Sequence, residues 1–246
     1  MELMYRTAFM IISISETLIF LVIALLTGNM FLNYSKKKRL PLLYLAEGFL
    51  FLALGILINL LAYLAGYRSN DATTLSNYVI TSFAILYFTL NFSNIFIYAF
   101  IESVFFNENK QRMFLIAFLE GIALGLIVTR VKLLPAVDKW NPIIMAYHHI
   151  LSFIIYGMLT YLCFKEVFRT KTKKVRYGLG FIGTFAVIQM FAFLVLFKGL
   201  MYYYANAELD ALYLLVFTVV ELLAAIFGYL GYTMPKWLVN ILKLES

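Results

Sequence analysis

Five glutamates fall inside long apolar stretches of this chain: Glu16, Glu47, Glu102, Glu120 and Glu221. A carboxylate at the centre of a bilayer costs ~2.5–3.5 kcal/mol even on the milder insertion scales, so each must face a polar partner, a bundle interior or a water-filled cavity. Glu47 and Glu102 lie within about two turns of segment ends rich in Lys and Arg, where a side chain reaches loop cations or water. Glu16, Glu120 and Glu221 are deeper. Residues three, four and seven apart share a helix face, so Glu221 stands with Leu214, Phe217, Ala224, Ala225 and Gly228, a side whose small members admit a neighbouring helix. If the first and last helices are adjacent, Glu16 and Glu221 would share an outward-opening cavity; two carboxylates there could not both ionise easily, and one would hold a proton. The alternative is that Glu221 only ties helices together through Gln189, Asn59, Asn91 or Asn94. The candidate ligand- or proton-binding set is Glu221, Glu16, Gln189, His148, Asn91 and Glu120.

Other chemistries are weakly served. His148 and His149 are adjacent, so on a helix they point ~100° apart, and no third ligand four residues away completes a metal motif; no metal is expected. One of them facing a cavity as a pH-sensitive group, or simply packing, fits better. Gly178-Leu179-Gly180-Phe181-Ile182-Gly183 matches the dinucleotide fingerprint in letters, but a basic loop precedes it and an apolar span follows, where the fingerprint needs a strand and a soluble βαβ unit. Close helix packing is the expectation there and at Gly121 and Gly125, with dimerisation through either as a further possibility. The last long span has no lysine for a retinal Schiff base, so no cofactor is expected, and no aspartate lies inside any span. Neither H-E-x-x-H nor G-x-S-x-G occurs. An enzyme, and with it any catalytic residue, is not expected; an intramembrane enzyme ranks third among the functional readings. Cys163 sits alone in an apolar segment and can form no intramolecular disulfide.

The elements that must position these groups are membrane helices. The chain of 246 residues is 63% hydrophobic and 13% charged, far from soluble proportions. Seven stretches have spanning length, about 8–34, 41–66, 77–105, 112–130, 142–165, 177–201 and 209–233, predicting an all-α seven-transmembrane bundle. Glu2 stands where a signal peptide would be basic, and the first apolar run is long, so it reads as a retained helix. No inserted soluble domain is expected: residues 1–234 form one membrane domain and 235–246 a short cytoplasmic tail. Of 20 Lys and Arg, 14 fall in alternate loops and the tail, against six (Arg6, Arg68, Arg130, Lys132, Lys139 and Lys198) on the other side. The positive-inside rule then places the N-terminus outside and the C-terminus in the cytoplasm, most simply of the cell membrane. The net charge of +7 reports this topology, and no nucleic-acid partner is inferred. Lys171, Lys173, Lys174 and Arg176 in the basic loop, with Trp237 in the tail, are candidates for contact with lipid headgroups or a cytoplasmic partner. Trp237, Leu238, Ile241, Leu242 and Leu244 recur at near-helical spacing, predicting a short helix lying in the interface.

The seven spans, the outside N-terminus, the basic loops and the exit Gly228-Tyr229-Leu230-Gly231-Tyr232-Thr233-Met234-Pro235-Lys236-Trp237-Leu238 together resemble the seven-helix membrane sensor regions of prokaryotic, especially archaeal, histidine kinases. In that family the last helix continues into a kinase, whereas this chain ends at Ser246; a stand-alone version implies a separate signalling partner, or else the chain is a piece of a longer sensor. The leading expectation is therefore a receptor-like sensor that binds a small or lipidic ligand in an outward-facing cavity and signals through its cytoplasmic face. The alternative is a small proton-coupled transporter using Glu221.

Overall fold

A computed structural model describes residues 2–68, 72–106, 109–132, 141–202 and 207–244, with side chains described for most of them. Among these residues the chain is all helical: α1 (Glu2–Lys37), α2 (Leu40–Arg68), α3 (Ala72–Phe105), α4 (Lys110–Lys132), α5 (Asn141–Arg169), α6 (Lys173–Tyr202), α7 (Ala207–Thr233) and the short α8 (Lys236–Ile241). Most helices overrun the apolar stretches, α1 by six residues at its start, because backbone hydrogen bonding continues into polar sequence once a helix has begun. Pro41 and Pro142 each sit second in their helix, in the first turn where a missing N–H costs nothing.

Among the described residues five helices are long and apolar enough to cross a membrane, with windows at Ser13–Lys37, Leu40–Ile58, Ile85–Phe105, Ala146–Arg169 and Lys173–Val195; Val219–Thr233 is a shorter apolar helix. Their outward faces are apolar too: Met10, Ile14, Leu18, Leu21, Leu25 and Leu32 are all exposed along α1. A helix that is apolar on every side belongs in lipid, so this is a helical membrane protein.

The chain packs sequentially, α1 on α2, α2 on α3, α3 on both α4 and α5, α5 on α6 and α6 on α7, and α7 closes back onto α1. One core runs through it, including Ile23, Leu26, Ile101, Ile155, Leu159 and Phe193. Glycines set the closest approach. A Cβ on Gly231 would lie 2.8 Å from the Ile182 backbone nitrogen, and one on Gly178 would lie 3.1 Å from the Gly231 carbonyl oxygen, so α6 and α7 meet backbone to backbone. Gly183 is likewise filled against Cys163 and Phe164. Gly121 and Gly125 differ from expectation: both are exposed and a Cβ at either would meet nothing within 4 Å, because α4 turns that face away from its neighbours.

The end carrying the basic residues is tightly built. Glu102 at the end of α3 is fully buried and takes a fork from Arg112, Nε to Oε1 and Nη2 to Oε2 both at 2.9 Å, while the Tyr98 hydroxyl donates to Oε1 at 2.8 Å. This bidentate clamp joins α3 to α4. The tail departs from the expected interfacial helix in one respect. Leu238, Val239 and Leu244 are buried while Trp237 and Ile241 are exposed, so its apolar residues divide between the protein and the surroundings. The cause is a Schellman cap: Lys243 takes φ 51°, and the Leu244 and Lys243 N–H groups donate to the Val239 and Asn240 carbonyls at 3.0 and 3.1 Å, folding Leu244 back onto Val239.

Candidate functional site

Helical spacing brings the interior polar residues onto facing stripes. Asn91 and Asn94 are three apart on α3; His148, Ser152 and Tyr156 are four apart on α5. All are buried, as are Glu120 on α4, Gln189 on α6 and Glu221 on α7. They form two groups at the centre of the bundle.

The first group links α3, α4 and α5. The Asn94 amide donates one hydrogen to Glu120 Oε1 at 3.0 Å and the other to Ser152 Oγ at 2.9 Å. Ser152 Oγ lies 3.4 Å from His148 Nε2, and His148 Nδ1 lies 3.2 Å from Asn91 Oδ1. Because Asn91 Oδ1 can only accept, Nδ1 carries the ring hydrogen and Nε2 accepts from the serine; the tautomer follows from the network. Asn91 then donates to the Tyr87 carbonyl at 2.6 Å. From Asn94 to the Tyr87 carbonyl every donor points the same way, and such aligned bonds reinforce one another, while the second Asn94 hydrogen points the other way, to Glu120. Aromatic edges wall the ring in, with Tyr87, His149 and Phe193 at 5.0, 5.6 and 6.1 Å from His148. A ring held as one donor and one acceptor between two neutral partners is a neutral imidazole.

The second group is one pair. Gln189 Nε2 donates to Glu221 Oε1 at 2.6 Å, joining α6 to α7. Tyr156 stands between the groups, its hydroxyl close enough to interact electrostatically with both Glu221 and Glu120.

The two groups repeat one pattern. In each, a primary amide donates to one carboxyl oxygen, while the amide oxygen and the second carboxyl oxygen (Asn94 Oδ1 with Glu120 Oε2, Gln189 Oε1 with Glu221 Oε2) are buried without a hydrogen-bond partner among the described residues. An unpartnered buried oxygen costs about 1–3 kcal/mol, and two acceptors cannot satisfy each other. One proton on each carboxyl converts the second oxygen into a donor suited to the amide oxygen, giving a two-bond acid–amide pair and removing a charge from the bundle interior.

Of the residues singled out from sequence, the structure joins Glu221 to Gln189 and His148 to Asn91, and gives Glu120 the partner Asn94. Glu16 is buried on the α1 stripe that continues through Ile19, Ile23, Leu26 and Met30. Although α1 and α7 touch, Glu16 precedes Asn33 by 17 residues while Glu221 precedes Tyr232, the neighbour of Asn33, by 11, an axial offset of roughly 9 Å. Lys171, Lys173, Lys174, Arg176 and Trp237 are exposed at the basic end, where Arg176 Nη2 donates to the Thr170 carbonyl at 3.0 Å. The side chains of Asn59, Leu214, Lys198 and the other cations opposite lie outside the described residues, as does most of the lining of the expected outward cavity. Sequence reasoning missed Ser152 and Tyr156, although their spacing from His148 marks one α5 face. Comparison with known proteins finds no matching family model, no matching curated protein and no matching solved structure.

Proposed function

We propose that the chain is a seven-span, receptor-like membrane sensor, with its N-terminus outside and its C-terminus in the cytoplasm, whose switch is the pair of acid–amide contacts in the bundle centre. The observation that carries this reading is the placement of Glu221. It is buried on α7, bonded to α6 through Gln189, and the same helix runs unbroken to Thr233 and the Pro235 junction with α8. A small or lipidic ligand entering from the outer side and offering one donor and one acceptor would compete with the Gln189–Glu221 pair, and its differential affinity for the opened pair would shift α7 relative to α6. The basic α5–α6 loop and the α8 segment would present that shift to a cytoplasmic partner. The function is binding and signalling; no covalent step is assigned to these residues.

A proton-coupled transporter is the second reading, favoured by the fact that each carboxyl–amide pair accommodates one proton. The two are separated by reconstituting wild type and Glu221→Gln in vesicles and measuring solute-dependent proton flux beside ligand-dependent thermal stabilisation. Stabilisation without flux, weakened in the variant, is the outcome expected of a sensor. Flux abolished by Glu221→Gln overturns it in favour of transport.

A further inference from the structure

At the basic end, α1, α2, α3 and α7 enclose an open-sided cavity of about 700 Å³. Its polar lining comes from Asn29, Asn33 and Lys37, spaced four apart on α1, from Arg39 in the α1–α2 turn, and from Tyr229, Tyr232 and Thr233 on α7. No carboxylate lines it, so Lys37 and Arg39 are two cations facing a space that also offers amide and hydroxyl donors. Anions are the chemistry such a lining recognises, and phosphate above all, because it accepts several hydrogen bonds at once. The cavity lies at the depth where helices leave the apolar zone: the apolar window of α1 ends at Lys37 and that of α3 at Phe105. On its lipid side, exposed Leu25 and Leu32 flank exposed Asn29 along α1, and exposed Val104 closes the α3 edge. A polar, cationic recess opening onto an apolar stripe matches an amphiphile with its head in the recess and its chains along the helix. It does not match a free soluble anion, which would gain nothing from the stripe.

We propose that this cavity seats the phosphate headgroup of an anionic phospholipid from the leaflet on the side of the basic loops. Basic recesses between membrane helices are suited to such headgroups, each cation contributing ~1 kcal/mol. Four of the lining residues, Tyr229, Tyr232, Thr233 and Pro235, belong to the end of α7 and its junction with α8, so an occupied cavity buttresses that exit. This holds whether or not the chain is a sensor.

The test uses the full chain purified in detergent, with phosphatidylglycerol and phosphatidylcholine of identical acyl chains and inorganic phosphate as three separate probes. Lipid retention is read by native mass spectrometry and stability by thermal unfolding. Phosphatidylglycerol should be retained in preference to phosphatidylcholine and should raise the melting temperature. Lys37→Gln/Arg39→Gln should weaken retention about thirtyfold, the factor that ~1 kcal/mol for each of two cations represents. Lys110→Gln/Arg169→Gln, the same charge change at two exposed cations of the same end that do not line the cavity, should leave it within threefold. Asn29→Leu, an exposed change that only extends the apolar stripe, is a second variant that retains the fold and should weaken phosphatidylglycerol severalfold. Equal losses in the two double variants, no preference between the lipids, or inorganic phosphate protecting as well as the lipid would each overturn the proposal.

Discussion

Replacing Glu221 by Gln distinguishes a proton-holding acid–amide pair from a buried charge, because the two make opposite predictions for stability. Gln189 donates one hydrogen bond to Glu221; a proton on the carboxyl adds a donor that the amide oxygen can accept, and Gln at 221 still presents one donor and one acceptor in nearly the same shape. Interhelical hydrogen bonds in membranes contribute ~0.6–2 kcal/mol, so Glu221→Gln should change stability by less than ~1 kcal/mol. Glu221→Leu leaves the fully buried Gln189 amide unpaired and should cost about 1–3 kcal/mol. Gln189→Leu/Glu221→Leu removes both partners, so its loss should be smaller than the two single losses added together, with a coupling of ~1–2 kcal/mol. If Glu221 were instead ionised in the fold, Glu221→Gln would delete a buried charge and stabilise the protein by ~2.5–3.5 kcal/mol. The measurement is unfolding by a denaturing-detergent titration, followed by the helical signal. Infrared difference spectra of wild type against Glu221→Gln add a direct readout, the carbonyl band of a protonated carboxylic acid. Stabilisation of Glu221→Gln by more than ~2 kcal/mol, or a coupling of zero, would refute the reasoning.

The same titration tests the glycine seam: Gly231→Ala, whose Cβ would sit 2.8 Å from the Ile182 nitrogen, should cost about 1–3 kcal/mol, whereas Gly121→Ala, which meets nothing, should cost nothing measurable. Arg112→Ala should destabilise the fold because it strips the fork from buried Glu102, and Arg112→Lys should recover less than half of the loss, since an ammonium cannot make two parallel bonds. Lys243→Gly relieves the left-handed φ of 51° at the α8 cap and should slow amide exchange at Leu244 two- to fivefold, the equivalent of ~0.5–1 kcal/mol of local stability.

Helix existence was legible because long apolar runs favour helices in lipid, and each of the seven stretches coincides with one long helix, five of them long and apolar enough to span a membrane among the described residues. Helix ends were less so, since the polar turns beyond an apolar run carry no periodic signal. Glu102 was readable as an end-of-span carboxylate bound for a cation, because depth alone decided it; that the cation is Arg112 depended on how α4 packs against α3. Partner choice in the interior was not readable. Gln189, Asn91 and Asn94 were all chemically able to meet Glu221, and only the rotation of each helix about its axis assigns Gln189 to Glu221 and Asn94 to Glu120. Gly121 and Gly125 show the converse error, since small residues permit close approach without specifying that a neighbour comes.

The sensor proposed above and a carrier would use the backbone differently. Carriers bind substrates where membrane helices break, using freed carbonyls and half-helix ends as ligands. Here α1 to α7 run without a break across the described residues, and Pro41 and Pro142 fall in first turns, so interior backbone groups are already bonded within the helices. Only side chains remain to receive a ligand, and the carboxyl–amide pairs are the ones whose bonds can be exchanged. Ten residues separate Glu221 from Gly231, roughly 15 Å along α7, and at Gly231 the helix rests on the α6 backbone with no side chain between. A ligand that opened the Gln189–Glu221 pair would therefore not slide α7 away from α6 but tilt it about that seam. The segment beyond the seam, from Tyr232 through Pro235 to the capped α8, would move in the opposite sense to Glu221. That segment also forms one wall of the basic-end cavity, so a tilt at the centre and a headgroup at the end act on the same few residues.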